Sequence, residues 1–217
     1  MSSNYIKIGQ VSINLFVQVG ELTEKKRARL IKQVKLGQAV NTPVGIGFIN
    51  NENSENVIIN PDRITYTKLG YYIDKEKVTL LLNTLIDVLM LDEKNFALID
   101  IQGLSDTDDS HTESINTFNN KFSDTLYKYG DIYGVGYRFL FKDENANGEI
   151  KIEPFIRDSS KYFYHYIENI NENKMNIDKI IEITDNAINN LDEKYKSIIE
   201  MIIKRWLLWK LEYLSAS

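Results

Sequence analysis

The sequence predicts an α+β fold in which helices cover one face of a mixed, largely antiparallel sheet. Three observations support this prediction: an early stretch alternates between apolar and polar residues, two pairs of apolar runs flank turn-rich segments, and stretches of helical periodicity separate them. The predicted order is β-α-β-β-α-β-α-β-β, followed by C-terminal amphipathic helices. Hairpins that alternate with crossover helices are typical of this class.

The first predicted strand is the clearest. Its apolar residues fall at positions 11, 13, 15, 17 and 19, which is the period of two of a strand with one buried face. Gly20 ends this strand, and Thr23 is a suitable N-cap for a helix that runs to about Gly37. In that helix, Leu30 and Val34 are expected to face inward.

A hairpin, a helix and a buried strand are predicted next. The hairpin consists of VGIGFI and VIINPDRITYT, and Asn60-Pro61 is expected to bend or end its second arm. Asp74 is a good N-cap for a helix through Leu91, and the run FALIDI, residues 96–101, then suits a buried strand. The apolar side of the helix consists of Val78, Leu81, Leu82, Leu85 and Leu89.

Another helix and a second hairpin follow the acidic loop SDTDDS. In the helix, apolar residues recur every three or four positions, at Ile115, Phe118, Phe122, Leu126 and Tyr129. The hairpin is formed by residues 132–142 and 149–156, and Asn147-Gly148 supplies the left-handed residues of its turn.

The remaining part of the chain, from about Tyr162, is predicted to form helices. KYFYHYIENI is interpreted as an aromatic-rich helix, and a longer helical stretch begins near Asn176. This stretch is either one rod or a hairpin with a break at Asn189-Asn190 and a new cap at Asp192. We therefore expect an α+β domain over residues 1–160 and a C-terminal helical region over residues 161–217, packed on that domain or used for association.

Composition limits the compartment and the chemistry. The 217 residues include no cysteine, so disulfides, thiolate nucleophiles and zinc-thiolate sites are excluded. A formal net charge of -5 disfavours nonspecific binding to nucleic acid. The first residues lack the pattern of a signal peptide, and no long uncharged apolar run follows. We expect a cytoplasmic protein that does not bind membranes and needs no cofactor.

The C-terminal stretch IIKRWLLWKLEYL is amphipathic with a wide apolar face. Such a helix packs on its own domain or offers a surface to a partner, for which Trp and Tyr are favoured anchors. A mixed polar face that includes Glu200 and Glu212 disfavours a membrane surface. The candidate interface, for a homodimer or another protein, consists of Ile198, Ile202, Trp206, Trp209 and Tyr213.

Two acidic segments are candidate metal sites. Asp143, Asn145 and Asn147 follow the spacing of an EF-hand calcium loop, but Pro154 replaces its bidentate glutamate and a strand precedes it, so a hairpin turn is the simpler interpretation. The second candidate set begins with a carboxylate near a strand end, as many two-metal phosphoryl-transfer sites do. It consists of Asp100, Asp106 and Asp108.

The segment FALIDIQGLSDTDD, followed by a helix and by YGVGYRFLF, is similar to the palm of a diguanylate cyclase. In that family the first strand ends in a metal-binding acid and the hairpin carries Gly-Gly-Asp-Glu-Phe. Here the hairpin has Gly136-Tyr137-Arg138-Phe139, so the signature acids are missing. The resemblance implies at most a degenerate relative, and acids that cap the next helix are the alternative.

A third candidate is the basic segment KKRARLIKQVK, in which Lys25, Arg27, Arg29 and Lys32 could contact phosphates. A solvated helix face explains it equally well. We therefore expect a non-catalytic accessory, regulatory or inhibitory protein, of bacterial or phage origin, that binds another protein or itself. The alternatives are a metal-dependent phosphoryl-transfer or nuclease-like enzyme and a nucleic-acid-binding protein.

Overall fold

The part of the chain that the structure describes forms a nine-stranded antiparallel sheet. A computed structural model describes residues 6–91, 96–106, 136–142, 146–155, 157–158, 161–170, 176–198 and 200–201. The strands are β1 (Ile6–Phe16), β2 (Gln38–Asn41), β3 (Ile46–Asn50), β4 (Glu55–Asn60), β5 (Arg63–Leu69), β6 (Phe96–Asp106), β7 (Tyr137–Lys142), β8 (Ala146–Pro154) and β9 (Lys161–Ile170). Their spatial order is β2-β3-β4-β5-β1-β6-β9-β8-β7, and neighbouring strands are antiparallel throughout.

Three of the described helices begin after an N-cap residue whose side chain accepts a hydrogen bond from a backbone amide of the first turn. These helices are α1 (Glu24–Gln33), α2 (Lys75–Leu89) and α3 (Ile177–Asn189), and a further helix, α4, covers residues 191–198. The caps are Thr23, Asp74 and Asn176, whose oxygens lie 3.4, 3.1 and 3.2 Å from the amide nitrogens they accept from. The predicted caps Thr23 and Asp74 are thus confirmed. Helix α1 ends earlier than predicted, because Val34 has an extended backbone.

The core lies between one face of the sheet and the helices. At the centre of the sheet, Val11, Ile13 and Leu15 of β1 are fully buried. Leu30 of α1, its C-cap Val34 and the predicted apolar side of α2 belong to the same buried cluster. Each such aliphatic side chain contributes about 1.5–3 kcal/mol when it is fully buried. Helices on one face of an antiparallel sheet confirm the α+β class.

The predicted helix KYFYHYIENI is instead strand β9, which lies between β6 and β8. Its aromatic residues follow a period of two: Tyr162, Tyr164 and Tyr166 are buried on the helix-covered face, while Phe163 and His165 lie on the other. Tyrosine favours strands when it packs on a half-buried sheet surface. The sheet therefore extends past residue 160, whereas the division into two domains stays a prediction.

The helical stretch after Asn176 is interrupted at the predicted place. Asn190 is the C-cap of α3, and its carbonyl accepts a hydrogen bond from the Lys194 amide of α4 (3.1 Å). Asp192 does not recap the helix through its side chain as predicted, because its Oδ1 accepts from the amide of Ile6 in β1 (3.0 Å). This bond fastens α4 to the first strand of the sheet.

Other differences concern the hairpins. The second arm of the first hairpin is divided into β4 and β5 by a turn at Pro61, and β2 adds a short strand that the sequence did not predict. The second hairpin is confirmed, but Gly148 lies within β8 opposite Phe141 and not in the turn. A Cβ at Gly148 would lie 1.8 Å from Phe141 Cζ, so the ring occupies the space of a side chain. The predicted helix around Phe118 lies outside the described residues.

No helix of the described residues is long and apolar enough to cross a membrane.

A buried carboxylate joins β4, β5 and α2. Glu55 is only 5% exposed, and it accepts hydrogen bonds from the Tyr66 hydroxyl (3.1 Å) and from the Lys77 ammonium. Burial and then the nearby Glu55 carboxylate raise the pKa of the Tyr66 phenol far above its ordinary value. The charge of Glu55 is therefore held inside the protein by one cation and one hydroxyl.

Replacing Lys77 by Met should lower the free energy of unfolding by about 2 kcal/mol, because it leaves the Glu55 carboxylate buried without its cation. Lys75→Met on the same helix removes the exposed Lys75–Asp185 ion pair and should cost only about 0.5 kcal/mol or less. Urea denaturation measures both, and adding Glu55→Gln to Lys77→Met should restore part of the loss. Equal losses in the two single variants would contradict this account.

Candidate functional site

The face of the sheet opposite the helices, here called the outer face, carries the polar side chains of every central strand. Because side chains alternate along a strand, one cross-strand row on this face contains Gln10, Gln102, His165, Lys151 and Arg138. The next row contains Thr67, Ser12, Asp100, Ile167 and Glu149. The pairing register thus collects chemistry-bearing residues from six different strands on one surface.

Asp100 is the centre of a hydrogen-bonded cluster on the outer face. Its Oδ2 lies 3.1 Å from His165 Nε2, and its Oδ1 accepts from Gln102 Nε2 at 3.1 Å. The side chains of His165 and Asp100 are 17% and 21% exposed, so solvent reaches both. On the neighbouring strand the Oγ of Ser12 lies 3.3 Å from Thr67 Oγ1 and accepts from Gln10 Nε2. Ser12 is only 5% exposed, which makes it a poor nucleophile for an external substrate.

The predicted phosphoryl-transfer residues are far apart where the structure describes them. Strand β6 continues to Asp106, so Asp100 lies within the strand and not at its end as predicted. Six residues of strand separate the two positions by about 20 Å, whereas the ions of a two-metal site lie about 4 Å apart. Asp108 lies outside the described residues. Within the described part of the chain, no group of three or more His, Asp or Glu side chains is arranged to hold a metal ion.

The hairpin that resembles a diguanylate cyclase is also distant from Asp100. Gly136 precedes β7, and β9 and β8 separate β7 from β6. Asn147 of the calcium-loop candidate lies in β8, where its carbonyl accepts a hydrogen bond from the Asn169 amide group (3.2 Å). Asp143 and Asn145 lie outside the described residues. The described part of this segment is thus strand.

A charged cluster on the outer face joins β7 and β8. The Glu149 carboxylate binds Lys151 Nζ at 2.8 Å and also contacts the guanidinium of Arg138. The hydrogen bond from Lys151, and then the one from Arg138, hold the pKa of Glu149 below its ordinary value of 4.5 despite partial burial. Glu149 therefore stays ionised between two cations.

Helix α1 uses some of its basic residues for structure. Arg27 donates from Nε to the Leu22 carbonyl (2.9 Å) and from its terminal nitrogen to Asn41 Oδ1 (3.0 Å) and the Gly45 carbonyl (2.5 Å). The guanidinium thereby joins the start of α1 to β2 and to the loop before β3. The other candidate phosphate contacts, Lys25, Arg29 and Lys32, are exposed.

Helix α4 is packed onto the helix-covered face. Tyr195 contacts Tyr164 edge to face, with ring centroids 5.9 Å apart. Lys194 donates to the Tyr166 hydroxyl (3.0 Å) and lies over the rings of Phe141 and Tyr166. Ile198, the first residue of the predicted interface, is half-buried against this core. The other four, Ile202, Trp206, Trp209 and Tyr213, lie outside the described residues.

Sequence reasoning missed an aliphatic patch on the outer face, defined here as Val40, Ile49 and Ile58. These side chains are 39%, 40% and 41% exposed. Val40 and Ile58 both pair with Gly47, and Ile49 lies two residues further along β3, so the three surround a position without a side chain. The available signal for this patch was the alternation of side chains between the two faces of β3 and β4. This alternation does not reveal which of the two faces the helices cover.

No model of a known protein family matches the chain. No curated protein matches its sequence either. The class defined by fold and surface is an α+β protein whose antiparallel sheet has helices on one face and a polar and aliphatic surface on the other.

Below pH 4.5 the unfolded chain should bind a proton at Glu149 that the folded chain does not bind, because the folded-state pKa is lower. The contribution of Glu149 to the unfolding free energy is fully present above pH 4.5, and it is lost as the pH falls through the folded-state pKa. Glu149→Gln should therefore flatten the fall of the unfolding free energy below pH 4.5, and Lys151→Met should act in the same direction. Urea denaturation at several pH values measures this dependence. If the unfolding free energy of both variants falls with pH as steeply as that of the wild type, the charged cluster does not stabilise the fold in this way.

Arg27→Met should lower the free energy of unfolding by about 1–2 kcal/mol, because three hydrogen bonds of a charged donor are lost. Arg29→Met is the matched control on the exposed side of the same helix, and it should change stability by about 0.5 kcal/mol or less. Thermal or urea unfolding of both variants checks this. The prediction is wrong if Arg29→Met is the more damaging substitution.

Proposed function

We propose that this protein is a non-catalytic binding protein with an accessory or regulatory role, and that it associates with a second copy of itself through the patch. The observation that supports this proposal is the position of Val40, Ile49 and Ile58, which stay about 40% exposed on the face opposite the described helices. Exposed aliphatic groups that adjoin one another are typical of protein contact sites.

Charge is the reason for choosing a second copy as the partner. The cross-strand neighbours of the patch, Gln38, Asn56 and Thr65, are uncharged. Two copies related by a two-fold axis bring equal surfaces together, so a neutral patch meets no like-charge repulsion. Nine strands about 4.8 Å apart give a face about 40 Å wide, which is enough for the roughly 800 Å² per partner of a standard interface.

The alternatives from the sequence have less support. Asp100 and Asp106 lie too far apart for one metal centre, and Arg27 serves α1 itself, so catalysis and nucleic-acid binding stay predictions without a described site. Self-association through Ile202, Trp206, Trp209 and Tyr213 is the competing form of the same proposal. Variants in the two surfaces distinguish these forms.

Light scattering coupled to size exclusion should give a dimer for the full chain and a folded monomer for Ile49→Lys/Ile58→Lys, because two buried ammonium groups per copy oppose association. Ile31→Lys is the control, since Ile31 is 47% exposed on α1, away from the patch. Circular dichroism verifies the fold of each variant.

A wild-type chain that is monomeric at every concentration, or a dimer that persists in Ile49→Lys/Ile58→Lys, would contradict the proposed patch contact. A dimer that is lost only in Trp206→Ala/Trp209→Ala would assign association to the C-terminal surface.

A further inference from the structure

Strand β7 ends the sheet in the described part of the chain, and its outer-face residues place a leucine between two cations. Leu140 is 75% exposed, the side chain of Arg138 is 63% exposed, and Lys142 is exposed as well. An edge strand presents backbone groups that an extended segment of another chain can pair with. We infer that β7 binds an extended segment of a partner protein in which one apolar residue has an acidic residue two positions away on each side.

Charge complementarity specifies this segment. In a strand paired with β7, residues directly opposite one another lie about 5 Å apart, so the acidic residues lie opposite Arg138 and Lys142 when the apolar residue lies opposite Leu140. Glu149 contacts both Arg138 and Lys151, so one carboxylate is shared by two cations. The motif reads the same in both directions, so parallel and antiparallel pairing place the same charges opposite the same cations.

A second copy of β7 is a poor occupant of this edge. Antiparallel self-pairing centred on Leu140 places Arg138 of each copy opposite Lys142 of the other, and like charges directly opposite one another are destabilising. Cationic side chains on an edge are a common protection against such pairing. The same cations attract an acidic strand, so they select the partner.

Apolar contacts are available on both sides of the added strand. On the outer face, the 75% exposed side chain of Leu140 is available to the central residue of the segment. On the helix-covered face, Tyr137, Phe139 and Phe141 are only half-buried, and Tyr137 stacks on Phe139 with centroids 6.1 Å apart. The central residue of the segment would contact Leu140, and its two neighbours would lie opposite Phe139 and Phe141 on the helix-covered face.

The inference rests on the proposed function in one respect, namely that the protein acts by binding. It concerns another surface and another partner. The patch of Val40, Ile49 and Ile58 lies near the β2 edge of the sheet, whereas β7 is at the opposite edge. Each surface can therefore be altered without the other.

The probe is a fluorescein-labelled peptide, Gly-Glu-Val-Leu-Val-Glu-Gly with blocked ends, titrated with the full chain and followed by fluorescence anisotropy. We expect saturable binding that weakens about tenfold or more in Arg138→Glu/Lys142→Glu, because two attractive pairs become repulsive. This variant should instead prefer the peptide in which Lys replaces both Glu residues. Lys25→Glu/Lys32→Glu makes the same charge change on α1 and should leave binding unchanged.

The inference is overturned if the wild-type chain gives no saturable binding, if a scrambled peptide of equal composition binds as well, or if charge reversal on β7 has no effect. Should the reversed variant fail to fold, Arg138→Gln/Lys142→Gln replaces it, with an expected loss of about fivefold. Ile49→Lys/Ile58→Lys should bind the peptide like the wild type, and Arg138→Glu/Lys142→Glu should keep the oligomeric state of the wild type. Failure of one proposal therefore leaves the other testable.

Discussion

Strand β1 is the constraint on which the rest of the sheet depends. It pairs with β5 on one side and β6 on the other, so it joins the half of the sheet built before α2 to the half built after it. Its odd-numbered residues Val11, Ile13 and Leu15 are fully buried, which fixes the face that the helices must cover. A shift of its register by one residue would bury Ser12 and Asn14 in the core instead. The bond from Ile6 to Asp192 shows that α4 also takes its position from this strand.

On the face opposite the described helices, polar side chains lie close together and are only partly hydrated, so they need hydrogen-bond partners within the protein. The sheet resolves this by pairing them laterally: Asn14 accepts from Thr65 (2.9 Å), Ser12 contacts Thr67, and Asp100 contacts His165 and Gln102. The two ends of the face differ in character. The end near β2 is aliphatic and neutral, whereas the end near β7 is charged. A surface divided in this way suits two partners of different chemistry, because the charged end disfavours an apolar partner and the aliphatic end disfavours a charged one.

Elements with local signals could be predicted from the sequence, and elements that depend on their neighbours could not. The caps Thr23 and Asp74, the alternation of β1 and the apolar side of α2 are local, since each is encoded within a few turns or residues. The prediction for β9 was wrong because Tyr162 and Tyr166 also fit a helical spacing. Only the place of this segment between β6 and β8 shows that the period of two is the relevant one. Asp100 was placed at a strand end for a similar reason: the polar residues of β6 that follow it belong to the strand through pairing with β1 and β9.

The pairing register of the antiparallel sheet decides which polar side chains of the outer face can act together. Carboxylates two residues apart on one face are separated by almost 7 Å along the strand, so a metal or acid-base pair needs ligands from loops or adjacent strands. The described rows instead place Ser12 beside Thr67, and Asp100 beside one histidine and one amide. Strand addition at an edge requires only backbone groups and alternating side chains. The two proposed contact surfaces therefore lie where the described sheet ends and where its aliphatic side chains stay exposed.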